Sequence, residues 1–200
     1  FKSAHLMLGN PALNGQEASR SDGNNYLIER PQYSLSYNQS NKNPNWVSWQ
    51  LNKTWLGNLR APEDPLSPRE NNDLTVYPWQ QDLTLLEAGL EATQGWDYSN
   101  SGLDRGHVIP RENRTRTQKD QLATYFTSNL LPQERRSNQS GVWRRLEEFS
   151  KELVLFRGWE LYTIAGGAGS INSDLGTNNP LNVNGINVPE TTWKVILLLE

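Results

Sequence analysis

The stretch SGLDRGHVIPRENRTRTQKDQ, residues 101–121, holds His107, one of two histidines in the chain, directly after Asp104, Arg105 and Gly106. Arg111, Arg114, Arg116 and Lys119 follow it closely. LDRGHVI reads as a short strand that Pro110 cannot extend. Thr117, with Asp120 three residues later, reads as the cap of a helix continued by QLATYF. The stretch is basic although the chain is not. Its 200 residues carry 19 Lys+Arg against 22 Asp+Glu, a formal net charge of -3. Between Asp104 and Lys151 ten Lys/Arg face six Asp/Glu, a local +4, and the remainder sums to -7. A basic face on an acidic body suits a polyanionic partner. On charge alone, a solvated run on ordinary helices competes with that reading.

Outward from this stretch, HLMLGNP (5–11) reads as a strand ended by Gly-Asn-Pro, with His5 structural inside it. QYSLSYN and NWVSWQLNKTW alternate apolar and polar residues around a polar turn, which predicts a hairpin with one buried face. Residues 57–102 are rich in turn formers and read as a long surface excursion with a short helix near TLLEAGLEA. SNQSGVWRRLEEFSKELVLF (137–156) reads as the clearest helix, starting at Ser140 or Gly141. Its apolar stripe is Trp143, Leu146, Leu153 and Phe156, with Phe149 beside them. WELYTIAGG predicts a strand ended by glycines, residues 170–189 a polar loop, and TTWKVILLLE a last strand cut in mid-pattern. The expected fold is therefore α+β, with a mixed, largely antiparallel central sheet, flanking helices and long loops. It is expected as a single domain over residues 1–200, with a C-terminal portion beyond the given chain.

Composition removes several classes. Without cysteine there is no disulfide framework and no thiolate metal site. No run approaches the roughly 18 apolar residues of a membrane span, and no cofactor fingerprint is present. Eight Trp and seven Tyr argue against disorder. What the window at 104–151 can supply is phosphodiester chemistry. That reaction needs a base near neutral pH, which one histidine provides. It also needs a hard divalent cation that keeps most of its waters and takes one or two protein oxygens.

DRGH at 104–107, TSNLLPQ at 127–133 and NQSGVWRRLE at 138–147 together resemble the DNA/RNA non-specific endonucleases, the sugar-non-specific nucleases with a ββα-metal core. The likeness extends to HLMLGNP, the hairpin and the last two strands, and places the core at about 103–157. The resemblance implies a secreted or periplasmic enzyme acting on DNA and RNA with one Mg²⁺, or Mn²⁺ in its place. A protein inhibitor is a further expected partner, and a membrane is not. His107 matches the general base and Asn138 the direct metal ligand. In the family that Asn lies four residues before the helix Trp; here Gln139 stands there and Asn138 lies five before Trp143. Either one residue is inserted or Gln139 replaces the Asn, and the shorter, more rigid Asn138 is favoured. Glu147 matches the carboxylate that holds metal-bound water, against the plain alternative of a surface pair with Lys151. Asn129 is assigned to the metal–water shell or to the backbone near it. Arg60 lies near the arginine that steadies the transition-state phosphate. Asp104 is expected to orient and balance charge, Arg105 to meet phosphate or a structural partner, and Gly106 to let the chain turn. Lys151, Arg136 and Arg144 are candidate substrate contacts. The implied reaction is in-line hydrolysis to 5′-phosphate and 3′-hydroxyl ends, lost below about pH 6.5 for an unperturbed histidine. A catalytically inactive nucleic-acid-binding protein of the same fold and a phosphodiesterase for small nucleotides are the competing readings.

Overall fold

The computed structural model describes residues 3–59, 79–99, 101–171 and 184–200. Near the N-terminus β1 (Ala12–Leu13) and β2 (Gln16–Glu17) pair across Asn14-Gly15, both at positive φ, as a tight hairpin turn requires. The central sheet has the order β3 (Tyr26–Glu29), β4 (Ser34–Asn38), β5 (Asn43–Leu51), β8 (Glu160–Ala168), β9 (Thr191–Leu199), and every neighbouring pair is antiparallel. A separate two-stranded ladder joins β6 (Asp104–His107) to β7 (Leu130–Gln133). The architecture is the expected α+β one.

The hairpin of β4 and β5 is present, but both of its faces are covered. Leu35, Tyr37, Val47 and Trp49 enter the main core with Ile109, Leu131, Trp143, Val154 and Leu161. The opposite face, which carries Ser34 and Ser36, is also buried. Leu6, Ala18 and Trp46 cluster there, and Ser36 donates to Asn25. The segment expected as a strand at 5–11 forms this cover as a 3-10 turn over Ala4–Leu6, because the Ser3 hydroxyl accepts from the His5 amide. His5 is buried as a structural residue. One ring nitrogen meets the Pro31 carbonyl at 2.7 Å and the other accepts from Gln50 N at 3.2 Å. Burial lowers its pKa from 6.5 to about 4.

The short helix of the excursion is α1 (Leu83–Glu87), capped by Asp82. Thr117 caps α2 (Gln118–Ala123), with its hydroxyl accepting from Asp120 N. The expected long helix is divided. Gly141 separates α3 (Arg135–Ser140) from α4 (Val142–Glu152), and a π-turn follows over Leu153–Arg157. A π-turn rotates the side chains that follow it. On α4 Trp143 and Ser150 face inward and Phe149 points to solvent; within the turn Val154 is buried and Phe156 exposed. Gly166 and Gly167 do not end β8 but lie within it. A Cβ on either would meet the Asn45 carbonyl at 2.3 Å or Pro189 at 2.8 Å. Among the described residues no helix is long and apolar enough to cross a membrane.

Candidate functional site

Strands β6 and β7 align Asp104 with Gln133 and His107 with Leu130. Gly106 does not provide a turn. It makes room for the Gln133 side chain, whose Oε1 lies 2.3 Å from where a Cβ would stand. Past His107, Val108 and Ile109 are fully buried and anchored by Asn129. The Asn129 carbonyl accepts from Val108 N at 2.9 Å and its Oδ1 from Ile109 N at 3.0 Å. Its Nδ2 donates to the carbonyls of Ile109 and Thr124. Asn129 is thus wholly engaged with backbone and does not line the cleft beside His107. These contacts are with the backbone near the site, one of the two settings expected for Asn129.

That cleft has a volume of about 410 Å³. His107, Pro110, Arg111 and Glu112 form one side; Asn138 enters from α3. Helix α4 contributes Arg144, Glu147, Glu148 and Lys151, whose spacing of three and four residues puts them on one helical face. The His107 ring lies 4.9 Å from the Trp79 ring and 5.1 Å, edge-on, from Tyr125. Its buried Nε2 has no hydrogen-bond partner among the described residues. Burial first, then the charge of Arg111, pushes the imidazole pKa down from 6.5 to about 3. The ring is therefore neutral far below the pH expected of an unperturbed histidine.

Asn138 and Gln139 both donate to Asp104 Oδ2, at 3.0 and 2.8 Å. The consequences differ. Nδ2 of Asn138 is engaged, which leaves Oδ1 as an acceptor in the cleft. Gln139 is exposed, and its Oε1 already accepts from Arg135 at 3.3 Å. Asn138 lies inside α3 and does not cap it. Glu147 pairs with Lys194 of β9 at 3.6 Å rather than with Lys151. Lys194 is buried over the Trp143 ring at 4.0 Å. Burial raises the Glu147 carboxyl to about 7 against the pull of Lys194.

The cations divide into two groups. Arg144 lines the cleft and pairs with Glu148 at 2.8 Å; Lys151 lines it and meets Glu112 at 3.3 Å. Arg136 is exposed on α3, away from the cleft lining. Arg105 donates to the Gly95 carbonyl at 2.8 Å, the structural partner among its expected roles. Arg114, counted in the basic window, is fully buried. Its guanidinium donates to the carbonyls of Gln32, Gln50 and Asn113 and stacks over Trp55 at 4.1 Å. Part of the basic stretch thus serves the core and not the surface. Arg60 lies outside the described residues.

Three site neighbours were not singled out by the sequence. Arg111 and Glu112 sit four and five residues after His107, just beyond Pro110, where strand reading stops. Lys194 lies in an apolar strand, where its charge was the available signal.

The sequence profile described as DNA/RNA non-specific endonuclease matches residues 10–200. The chain is 38% identical to a nuclease of Nostoc sp. over 198 residues, which cover 99% of this chain and 63% of that protein. It is 28% identical to a nuclease of Serratia marcescens over 177 residues, 87% of this chain and 59% of the relative. Against human mitochondrial endonuclease G the identity is 31% over 128 residues, 64% of this chain and 38% of the relative. The chain therefore spans less than two thirds of the length of these curated relatives. A crystal structure of the EndoG/EndoGI complex matches with a TM-score of 0.66 at 22% identity, over 96% of this chain and 71% of that chain. That likeness shows the shared ββα-metal fold, here the β6–β7 ladder with α4.

Proposed function

The chain belongs to the DNA/RNA non-specific endonuclease family, and from that premise we propose that it hydrolyses phosphodiester bonds in DNA and RNA with His107 as base. The observation that carries the reading is one cleft holding an uncommitted, neutral imidazole, an amide oxygen oriented by Asp104, and mobile-length cations.

The donor set fits a hydrated divalent cation. Among the described residues no cluster of three or more His, Asp or Glu side chains is placed for chelation, and Asn138 offers one hard oxygen. Asn138 Oδ1 would hold Mg²⁺, or Mn²⁺, with Glu147 in the same cleft. When bound, the ion supplies Lewis-acid neutralisation of the phosphate and the departing oxygen. Asp104 fixes the amide so that its oxygen and not its nitrogen faces the ion. His107, neutral and in van der Waals contact with two aromatic rings, removes a proton from the attacking water. An unpartnered buried nitrogen costs about 1–3 kcal/mol, a cost relieved when water or substrate arrives. Arg111, Arg144 and Lys151 draw the phosphate in, and Arg60 belongs to the same proposal. The P–O3′ bond breaks and the departing oxygen takes a proton from solvent water, leaving 5′-phosphate and 3′-hydroxyl ends.

We take residues 1–200 as one nuclease domain around a core at about 103–157, because β5 and β8 pair across that core. A secreted or periplasmic location and a protein inhibitor complete the proposal; the solved relative was crystallised as an inhibition complex. Plasmid DNA and single-stranded RNA incubated with Mg²⁺, with EDTA and with His107→Ala test the reading. Binding without nicking in Mg²⁺ overturns it in favour of a non-catalytic binding protein. Turnover of a dinucleotide with no cleavage of long substrate overturns it in favour of a small-nucleotide phosphodiesterase.

A further inference from the structure

Nε2 of the His107 ring has no hydrogen-bond partner among the described residues, yet a general base must keep one orientation toward its water. Two aromatic rings pack against the imidazole. Tyr125 meets the imidazole edge-on at an interplanar angle of 82°, and Trp79 meets it tilted at 41°. The two rings also pack on each other at 5.1 Å, so the three form a closed triangle. We propose that Trp79 and Tyr125 are positioning residues, a clamp that fixes the His107 ring for proton transfer.

The backbone builds this clamp deliberately. Gln80 N donates to the Tyr125 carbonyl at 2.9 Å and Thr127 N to the Gln80 carbonyl at 2.9 Å, an isolated parallel bridge between Gln80 and Phe126. That bridge sets residue 79 beside residue 125 at the end of the excursion. On its other side Trp79 is backed by Gly95, where a Cβ would approach the Trp79 Cβ to 2.8 Å. Arg105 sits 6.0 Å over the Trp79 ring and is itself bonded to the Gly95 carbonyl. The arginine of the DRGH strand therefore steadies the ring that steadies the histidine two residues later. The excursion, absent from the resemblance that led to the family, thereby contributes to the site through Trp79.

The charged groups around the imidazole are Arg111 and, beyond Trp79, Arg105 on its own side. Glu112 shares that side as well, and across the cleft stand Arg144, Glu147, Glu148 and Lys151. Of these, Arg105 packs on the Trp79 ring and belongs to the clamp; the cleft charges are unaltered when Trp79 is replaced, so a change in His107 reports the clamp.

The inference rests on the endonuclease reading for its catalytic part, and the test separates the two. The full chain carries Trp79→Leu, with Trp79→Phe as the conservative variant. With two histidines in the sequence, NMR of the imidazole Cε1–H in EDTA gives two titration curves. The curve missing from His107→Gln identifies His107. In Trp79→Leu the His107 midpoint is expected to move up from about 3 toward 6.5. Its kcat on duplex DNA is expected to fall about 10- to 100-fold, with KM changed less than about twofold. Trp79→Phe restores most of both. A folded Trp79→Leu protein with an unchanged His107 curve and unchanged kcat overturns the clamp. A loss carried by KM alone also overturns it, because Trp79 would then be a substrate contact. Should Trp79→Leu not fold, Tyr125→Leu carries the same two readouts. Should the wild type cleave nothing, the endonuclease reading fails while the NMR curves still decide the clamp.

Discussion

Replacing His107 with Gln should make the protein less sensitive to acid. In the unfolded chain the imidazole titrates near 6.5, whereas in the fold burial and Arg111 hold it near 3. Below pH 6.5 the unfolded state therefore binds a proton that the native state refuses. Stability from this group is fully present above the unfolded value and is lost as pH falls toward the folded one. At pH 5 a two-state linkage with those values withdraws about 2 kcal/mol relative to pH 7.5. The choice of pH 5 makes that magnitude depend on the unfolded value, since any folded value below 4 gives nearly the same result. It is an upper figure, because His107 is partly exposed and solvent at the cleft screens the charge. His5, lowered to about 4, adds a comparable loss in both proteins and cancels in the comparison. Urea unfolding followed by fluorescence of the eight tryptophans, at pH 7.5 and pH 5, measures both stabilities. The gap between His107→Gln and wild type should shift by up to about 2 kcal/mol in favour of the variant at pH 5. Parallel losses in the two proteins would refute the claim that the fold holds His107 neutral.

The two candidate ligands separate by substitution. Asn138→Ala should reduce Mg²⁺-dependent nicking at least about 100-fold, while Gln139→Ala, on the exposed side of α3, should stay within about threefold; plasmid-nicking rates decide. Lys194→Met leaves Glu147 buried without its cation and should cost about 3 kcal/mol in urea unfolding at pH 8, more than Lys194→Arg. Gly106→Ala should destabilise by about 1–3 kcal/mol through its clash with Gln133. Adding Gln133→Ala should recover most of that loss in the same denaturation assay, because the clashing atoms are then gone.

The hairpin and the strand at 104–107 were legible because alternation and a proline mark them locally. The cap at Thr117 was legible for the same reason, since a hydroxyl and a carboxylate three residues apart act within one turn. The helix at 137–156 was legible in kind but not in phase. Gly141 and the π-turn at 153–157 rotate its two ends, and no apolar count reports such a rotation. The N-terminal segment misread as a strand is ruled by one Ser3 hydroxyl, which turns the chain before any sheet partner is met. At the site, His107, Asn138 and Glu147 were marked by their motifs. Lys194, the partner of Glu147, arrives from 47 positions away through the pairing of β8 with β9. Trp79 arrives through a single backbone bridge. Such contacts exist only once the chain has closed.

The central claim is that Asn138 presents an oxygen to a divalent ion within the cleft that His107 faces. Anomalous diffraction from crystals soaked in Mn²⁺ locates that ion directly. The account predicts one peak in the cleft at Asn138 Oδ1, lost in Asn138→Ala. A peak bound by Gln139 outside the cleft, or an ion held elsewhere with Asn138 unengaged, would contradict it.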